Sequence, residues 1–351
     1  MSISDDTIRL ARQMRIMVSD EADAAVRTIV QAWARAWDEI HQAWADAMMD
    51  LAAASTDGRW PSAGQIARSQ RATAALAAAT DQIVDLANLT GVTVVDAVGR
   101  AVQATDPLVR EMLASQLPAA NRVEFAARFN RVDPLSLDAI VRRSTQQITS
   151  STLMLAASTQ EQMRRTLIRG IALGDNPRRT AREMVKRAEG AFNGGLTRAL
   201  VIARTETLDA HREAARGTRV ANADICTGWT WLASLDNRTC PSCLAMNGTS
   251  HDVAEQGPND HQQGRCVAIP TTRPWRDLGI DLDEPASVMP DAKAWFDDQP
   301  RATQLAIMGP GRLDALDRGA PWDALAQHRT TIGWRDSWAP TPVADLLARV
   351  A

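Results

Sequence analysis

Between Val26 and Ser55 the sequence reads "VRTIVQAWARAWDEIHQAWADAMMDLAAAS", and Ile29, Trp33, Trp37, Ile40, Trp44, Met48 and Leu51 recur in it at spacings of three and four. Only an α-helix places such positions on one face. A helix this long with one apolar stripe needs something to cover it. The stripe therefore predicts a packing face, met by another helix of the chain or by another subunit.

Helical patterning continues along the first two-thirds of the chain. "STDGRWPSAG" breaks the first helix with Gly58, Pro61 and Gly64. An alanine-rich helix follows from about Gln65 to Asn88, with more helix in "VTVVDAVGRAVQ" and "DPLVREMLASQL". Asp106 before Pro107 predicts an N-cap with proline at the first helical position. Helices then continue from about Asp133 to Gly170. The next is capped by Asp175 or Asn176 ahead of Pro177 and ended by "NGG" at Asn193 to Gly195. Another runs from about Leu196 to Ala221, and no internal repeat of fixed period is visible.

Composition narrows the function classes. The 351 residues suit about two domains, and a hydrophobic fraction of 45% allows a sizeable core. The formal net charge of -3 gives no global field that draws the chain onto nucleic acid. No apolar run approaches the roughly 20 residues of a membrane span. The start, "MSISDDTIRLARQM", lacks a signal-peptide apolar core. The expectation is a protein made and kept in a cytoplasm. There thiols stay reduced, and a Cys-x-x-Cys pair is metal-binding or catalytic before it is a structural disulfide.

The helix from Leu196 carries "ARTET". Arg204 has Leu200, Val201 and Leu208 at helical spacing, and Glu206 has no basic residue at those spacings. The spacing leaves two readings open: tertiary partners for both, or a snorkelling arginine and a solvated glutamate.

"GWTWLASL" (Gly228 to Leu235) alternates like a strand, and "RCVAIP" (Arg265 to Pro270) reads as a second, stopped by Pro270. If the two pair, Cys240 and Cys243 come beside Cys266, with His261 close before it. The spacing Cys240-x2-Cys243-x17-His261-x4-Cys266 offers three thiolates and one imidazole, a closed tetrahedral set suited to structural zinc. Pro241 and Ser242 are expected to form a tight turn. A thioredoxin-like couple wants its Cys-x-x-Cys at a helix start after a buried strand, whereas a polar loop is expected here. His251 competes with His261 for the nitrogen position, and Cys226 reads as a buried small side chain. Spacing alone leaves zinc, redox chemistry and a cluster without ligand all open.

These strings, "ARTETLDAHREAA", "WTWLASLDNRTCPSCLAMNGTSHDV" and "HQQGRCVAIPT", resemble the phage Mu F-like head-morphogenesis family of tailed-phage minor capsid proteins. Arg204, Thr205, Glu206, Thr207, Asp236, Arg238, Thr239, Cys240, Cys243, Gly248, His261, Arg265 and Cys266 match its pattern position by position. Gly264 stands where that pattern has the first cysteine of Cys-Arg-Cys, which leaves four candidate ligands. His251 falls at a position usually apolar in the family, which favours His261. "DAKAWFDDQPRATQLAIMGPGRLDALDRGA" is similar to C-terminal segments of these head proteins, and Gly309-Pro310-Gly311 is expected to break its helix. Clear resemblance covers about Ile171 to Gly319.

The resemblance implies a mainly α chain. A long helical region (1–165) precedes a small α+β Mu F-like domain (166–275) with a hairpin-type zinc-knuckle site, and a helical C-terminal tail (276–351) follows. It implies a structural, non-enzymatic minor capsid protein at the portal vertex and head interior, in the host cytoplasm during assembly and then in the virion. The implied partners are the portal protein, the major capsid protein or a scaffold, with self-association in the head. A competing reading is a zinc-stapled module on packaged DNA, using arginines such as Arg178, Arg179, Arg238 and Arg265; the net acidity weighs against it. No phosphate loop, His-Glu-x-x-His or Ser-His-Asp spacing points to an enzyme.

Overall fold

The computed structural model describes residues 3–54, 69–172, 177–261, 264–330 and 336–350. The expected break at Gly58, Pro61 and Gly64 and the expected cap at Asp175 or Asn176 lie outside the described residues. Among the described residues the chain is mainly α, with small sheets only from Cys226 onward. Its first part forms α1 (Asp5–Ala53), α2 (Gln70–Ser115), α3 (Arg122–Arg128), α4 (Pro134–Ala172) and α5 (Pro177–Ala221).

Two helices run through signals that predict their ends. α2 continues past Pro107. Asp106 is no cap: its carboxylate accepts from Arg110 Nε and Nη2 at 3.1 and 2.9 Å and from the Thr218 hydroxyl at 3.0 Å. A proline inside a helix costs about 3 kcal/mol. Val102, Val109, Met112 and Leu113, on either side of it, are fully buried. Each such burial contributes about 1.5–3 kcal/mol, so packing outweighs the proline. Likewise α5 continues through Asn193-Gly194-Gly195. A glycine in a helix costs about 1 kcal/mol, and Phe192, Ala199 and Ala203 are buried on both sides of the pair.

The chain forms two compact units, and each of α1, α2, α4 and α5 contributes to both. One unit comprises Glu21–Gly99 and Val141–Thr207, and its described part is helical. Its core holds the tryptophan stripe. Trp33 and Trp44 are buried and Trp37 is half-buried. The rings of Trp33 and Trp37 lie 4.7 and 5.2 Å from that of Phe192 on α5. The stripe is thus a packing face within the chain.

The other unit comprises Met1–Asp20, Arg100–Ile140 and Leu208–Ala351. At its centre are β1 (Cys226–Leu232), β2 (Ser250–Asp252) and β3 (Val267–Thr272), antiparallel in the order β2-β1-β3. The predicted strand pair is present, with Trp231 opposite Ala268 and Leu232 opposite Val267. Its ends differ from expectation. β1 starts earlier and stops at Leu232, and β3 passes through Pro270 to Thr272. β3 is an edge strand, where a missing N–H is tolerated, and the Pro270 carbonyl accepts from Gln116 Nε2 at 2.6 Å. Both faces of the sheet are covered. Leu232, Val267 and Ile269 pack with Ile8, Met14 and Met112, while Trp229, Trp231 and Ala268 pack with Cys243, Met246 and Cys266.

Between β1 and β2 lies α6 (Pro241–Met246), where the sequence predicts only a tight turn. After Asp291 come α7 (Ala292–Asp297), α8 (Arg301–Asp317), an antiparallel hairpin of β4 (Ala326–Arg329) and β5 (Ser337–Pro340), and α9 (Val343–Leu347). The helices match expectation; the hairpin has no counterpart in the sequence reading. α8 is interrupted at Gly309, whose φ of 71° and ψ of 164° are non-helical, at the predicted break. Phe296, Met308, Leu313, Leu325 and Leu346 form one cluster with Leu244 of α6, so this segment packs directly on the cysteine-bearing helix. Among the described residues, no helix is long and apolar enough to cross a membrane.

Candidate metal centre

The polypeptide leaves β1 into a clasp built from the motif residues. Asp236 Oδ1 accepts the Arg238 N–H at 2.9 Å and the Thr239 hydroxyl at 3.2 Å, while the Thr239 hydroxyl accepts the Asp236 N–H at 3.0 Å. This closed turn delivers Cys240 to the N-cap of α6, with Pro241 as its first residue. From just before β3, Arg265 reaches back with two parallel bonds to the Asp236 carboxylate, at 2.6 and 2.8 Å. One bidentate pair thereby joins the segment carrying Cys240 and Cys243 to the one carrying Cys266. Arg265 first, then the Arg238 N–H, outweigh partial burial and hold the Asp236 pKa at about 2, below its usual 3.8. Gly248 has a φ of 84°, which favours glycine, and its N–H donates to the Trp231 carbonyl at 2.8 Å.

The ligating atoms of Cys240, Cys243 and His261 lie within 4.8 Å of one another. A second group within the same limit is Cys243, Asp260 and Cys266. Cys243 belongs to both, and the four predicted ligands do not all fall within that limit together. All four cysteines are free thiols; Cys240 is half-buried and the others are buried. A hydrogen bond from Cys243, assisted by His261 and Ser242, lowers the Cys240 pKa to about 4 against the opposing effect of burial. Bonds to Cys240 and Cys266, together with burial, push Cys243 well up. Cys266 is pulled down by its bond from Cys243, but burial and the Asp260 charge raise it on balance. The cluster thus already favours one thiolate beside an imidazole and two further thiols. That donor set fits zinc, and a closed set of three sulfurs and one nitrogen leaves no open position for catalysis.

Two competing histidine and cysteine positions lie elsewhere. His251 stacks on Trp229 with centroids 4.0 Å apart, and its ring nitrogens engage Thr249 and Glu255, each at 2.9 Å. Cys226 is fully buried and bonds to the Gly228 carbonyl at 3.3 Å. The Cys-x-x-Cys pair itself lies at the start of α6, where the sequence reading expects a tight turn, and the polar segment with Gly248 and Gly257 follows after Met246. A start at a helix after a buried strand is the context that redox couples share.

Arg204 pairs with Asp23 of α1, a tertiary partner of the kind one of the two readings requires. Thr205 and Glu206 are buried, which excludes the solvated-glutamate reading.

Two residues of the site were missed in the sequence. Arg212 of α5 and Asp260 are both buried and form an ion pair at 2.7 Å. Burial lowers the Arg212 pKa, and Asp260 and Asp209 more than reverse it. A signal was present. On α5 and just past its end, the buried spacing Leu208, His211, Arg212, Ala215, Thr218, Arg219 and Asn222 is helical but largely polar. A core stripe of that kind requires buried partners.

No curated protein and no solved structure matches the chain. Residues 161–269 match the family described as Phage Mu protein F like protein. The match ends at Ile269 in β3 and takes in "ARTET", the Asp236 clasp and all four candidate ligands. Over that segment, just under a third of its length, this chain is similar to the phage Mu F-like family.

Proposed function

We propose that the chain is a structural minor capsid protein of a tailed phage, acting in head morphogenesis at the portal vertex and head interior. Its partners are the portal protein, the major capsid protein or a scaffold. It is present in the host cytoplasm during assembly and in the virion afterwards. The observation that carries this reading is the Mu F-like segment over residues 161–269. Within it we assign Cys240, Cys243, His261 and Cys266 to a structural zinc ion, which draws Cys266 toward the triad already gathered around Cys243. The reading gives residues 166–275 the assembly-specific role, with 1–165 and 276–351 as its helical flanks.

The test is a pull-down of the tagged protein from phage-producing cells, with purified particles examined alongside. Recovery with portal, capsid or scaffold protein and presence in particles are expected. Absence from both the particles and every head-protein complex overturns the assignment. Elemental analysis of chelator-free protein tests the metal separately, with close to one zinc per chain expected.

A further inference from the structure

The carboxylate of Asp260 sits where the two ends of the ligand loop meet. It is fully buried. Its Oδ1 accepts from Arg212 Nη2 at 2.7 Å, and its Oδ2 accepts the backbone N–H of Cys266 at 3.3 Å. The same Arg212 nitrogen donates to the Gly264 carbonyl at 3.1 Å, while Arg212 Nη1 donates to Asp209 at 3.0 Å. Asp260 immediately precedes His261, so one side chain braces both the imidazole end and the Cys266 end of the loop.

Gly264 shows how closely this brace is fitted. A Cβ at that position would lie 1.9 Å from Asp260 Oδ2 and 2.0 Å from its Cγ. The carboxylate occupies the space that any side chain at 264 requires, so Asp260 and a bare residue 264 depend on each other. Asp260 is also within 4.8 Å of the Cys243 and Cys266 sulfurs, close enough to compete as a ligand. Its existing bonds decide against that role. Turning it onto a metal withdraws the nearest counter-charge from a buried guanidinium and strands the Cys266 N–H, both costly in a low-dielectric site.

We infer that Asp260, held by Arg212, is a positioning residue of the metal centre: it sets the approach of His261 and Cys266 and does not itself ligate. This rests on the proposed metal site. Outer carboxylates of this kind typically contribute 10–100-fold to metal affinity.

The experiment uses the full-length chain loaded with cobalt(II), whose thiolate charge-transfer and ligand-field bands report the donor set. Affinity is measured by competition with a chelator, and circular dichroism identifies variants that remain folded. Asp260→Asn is expected to bind about 10–100-fold more weakly with unchanged cobalt bands. Arg212→Lys keeps a charge beside Asp260 but not the forked contact to Gly264; it is read in the same way if Asp260→Asn does not fold. Bands that shift in Asp260→Asn make the carboxylate a ligand and overturn the inference. A folded variant with affinity within twofold of the parent also overturns it. If the parent chain itself shows no thiolate–cobalt bands, the metal assignment fails and this inference falls with it. That outcome is distinct from a parent that binds and a variant that matches it.

Discussion

His211 is a histidine that the fold keeps neutral, and acid should reveal it. The ring is buried on α5, with Nδ1 2.8 Å from the Thr105 hydroxyl. That hydroxyl also donates to the Ala101 carbonyl at 2.6 Å, so it accepts from Nδ1–H and fixes the tautomer. Burial first, then the charges of Arg212 and Arg219, lower its pKa from 6.5 to about 3. The unfolded chain therefore binds a proton as pH falls through 6.5, while the folded chain does not until about 3. Stability is fully present above 6.5 and is lost progressively below it. At pH 4.5, two pH units of differential proton binding amount to about 2–3 kcal/mol. Urea unfolding followed by tryptophan fluorescence at pH 7.5, 6.5, 5.5 and 4.5 measures this. Other titrating groups, the thiols included, cancel when the parent is compared with His211→Gln at each pH. The parent should lose about 2–3 kcal/mol relative to the variant between pH 7.5 and 4.5. A difference that stays flat, or that favours the parent in acid, refutes the account of a buried neutral imidazole.

Three other substitutions probe other parts of the fold. Phe192→Ala removes the ring against Trp33 and Trp37 and should cost about 3–5 kcal/mol in chemical unfolding. Arg265→Ala opens the clasp; Asp236 is about a third exposed, so solvent screening leaves a cost of only about 1 kcal/mol, read as a small fall in melting temperature. Cys243→Ser should abolish metal binding in elemental analysis, whereas Cys226→Ser, remote from the cluster, should leave the metal content unchanged.

Different parts of the structure were legible to different degrees, for physical reasons. The tryptophan stripe was readable because helix periodicity and burial point the same way over many turns. The strand pair was readable from alternation, but its ends were not. Ala233 to Leu235 fit the alternating pattern yet leave the sheet for the Asp236 turn, and Leu235 takes a φ of 49°. Pro107 and Asn193-Gly194-Gly195 misled because local propensities of about 1–3 kcal/mol yield to packing on either side. The four candidate ligands were visible as a spacing. Asp260 and Arg212 were not, because a pairing across 48 residues has no local signature beyond the polar stripe on α5.

The relative size of these interactions indicates what holds the cysteine segment. The Asp236–Arg265 clasp is partly exposed and worth about 1 kcal/mol. The Arg212–Asp260 pair is buried, and such pairs repay little more than their desolvation; they select an arrangement more than they stabilise it. From Asn247 to Gly264 the chain is polar, with few apolar side chains to bury. A structural zinc contributes on the order of 10 kcal/mol of folding free energy, far more than either ion pair. On the proposed zinc site, the two arginine–carboxylate pairs act as guides that would bring Cys240, Cys243, His261 and Cys266 into register, and the ion would supply the energy that fixes them. Metal removal should therefore leave β1 and β3 paired, because Leu232, Val267 and Ile269 are packed independently of the thiols. It should raise amide exchange in the described residues 247–261 and 264–266. It should also raise exchange in the C-terminal helices packed on Leu244, since α6 is their shared support. Equal exchange with and without metal at those positions would show that the ion pairs and apolar contacts suffice alone, and the division of labour between guides and ion would be wrong.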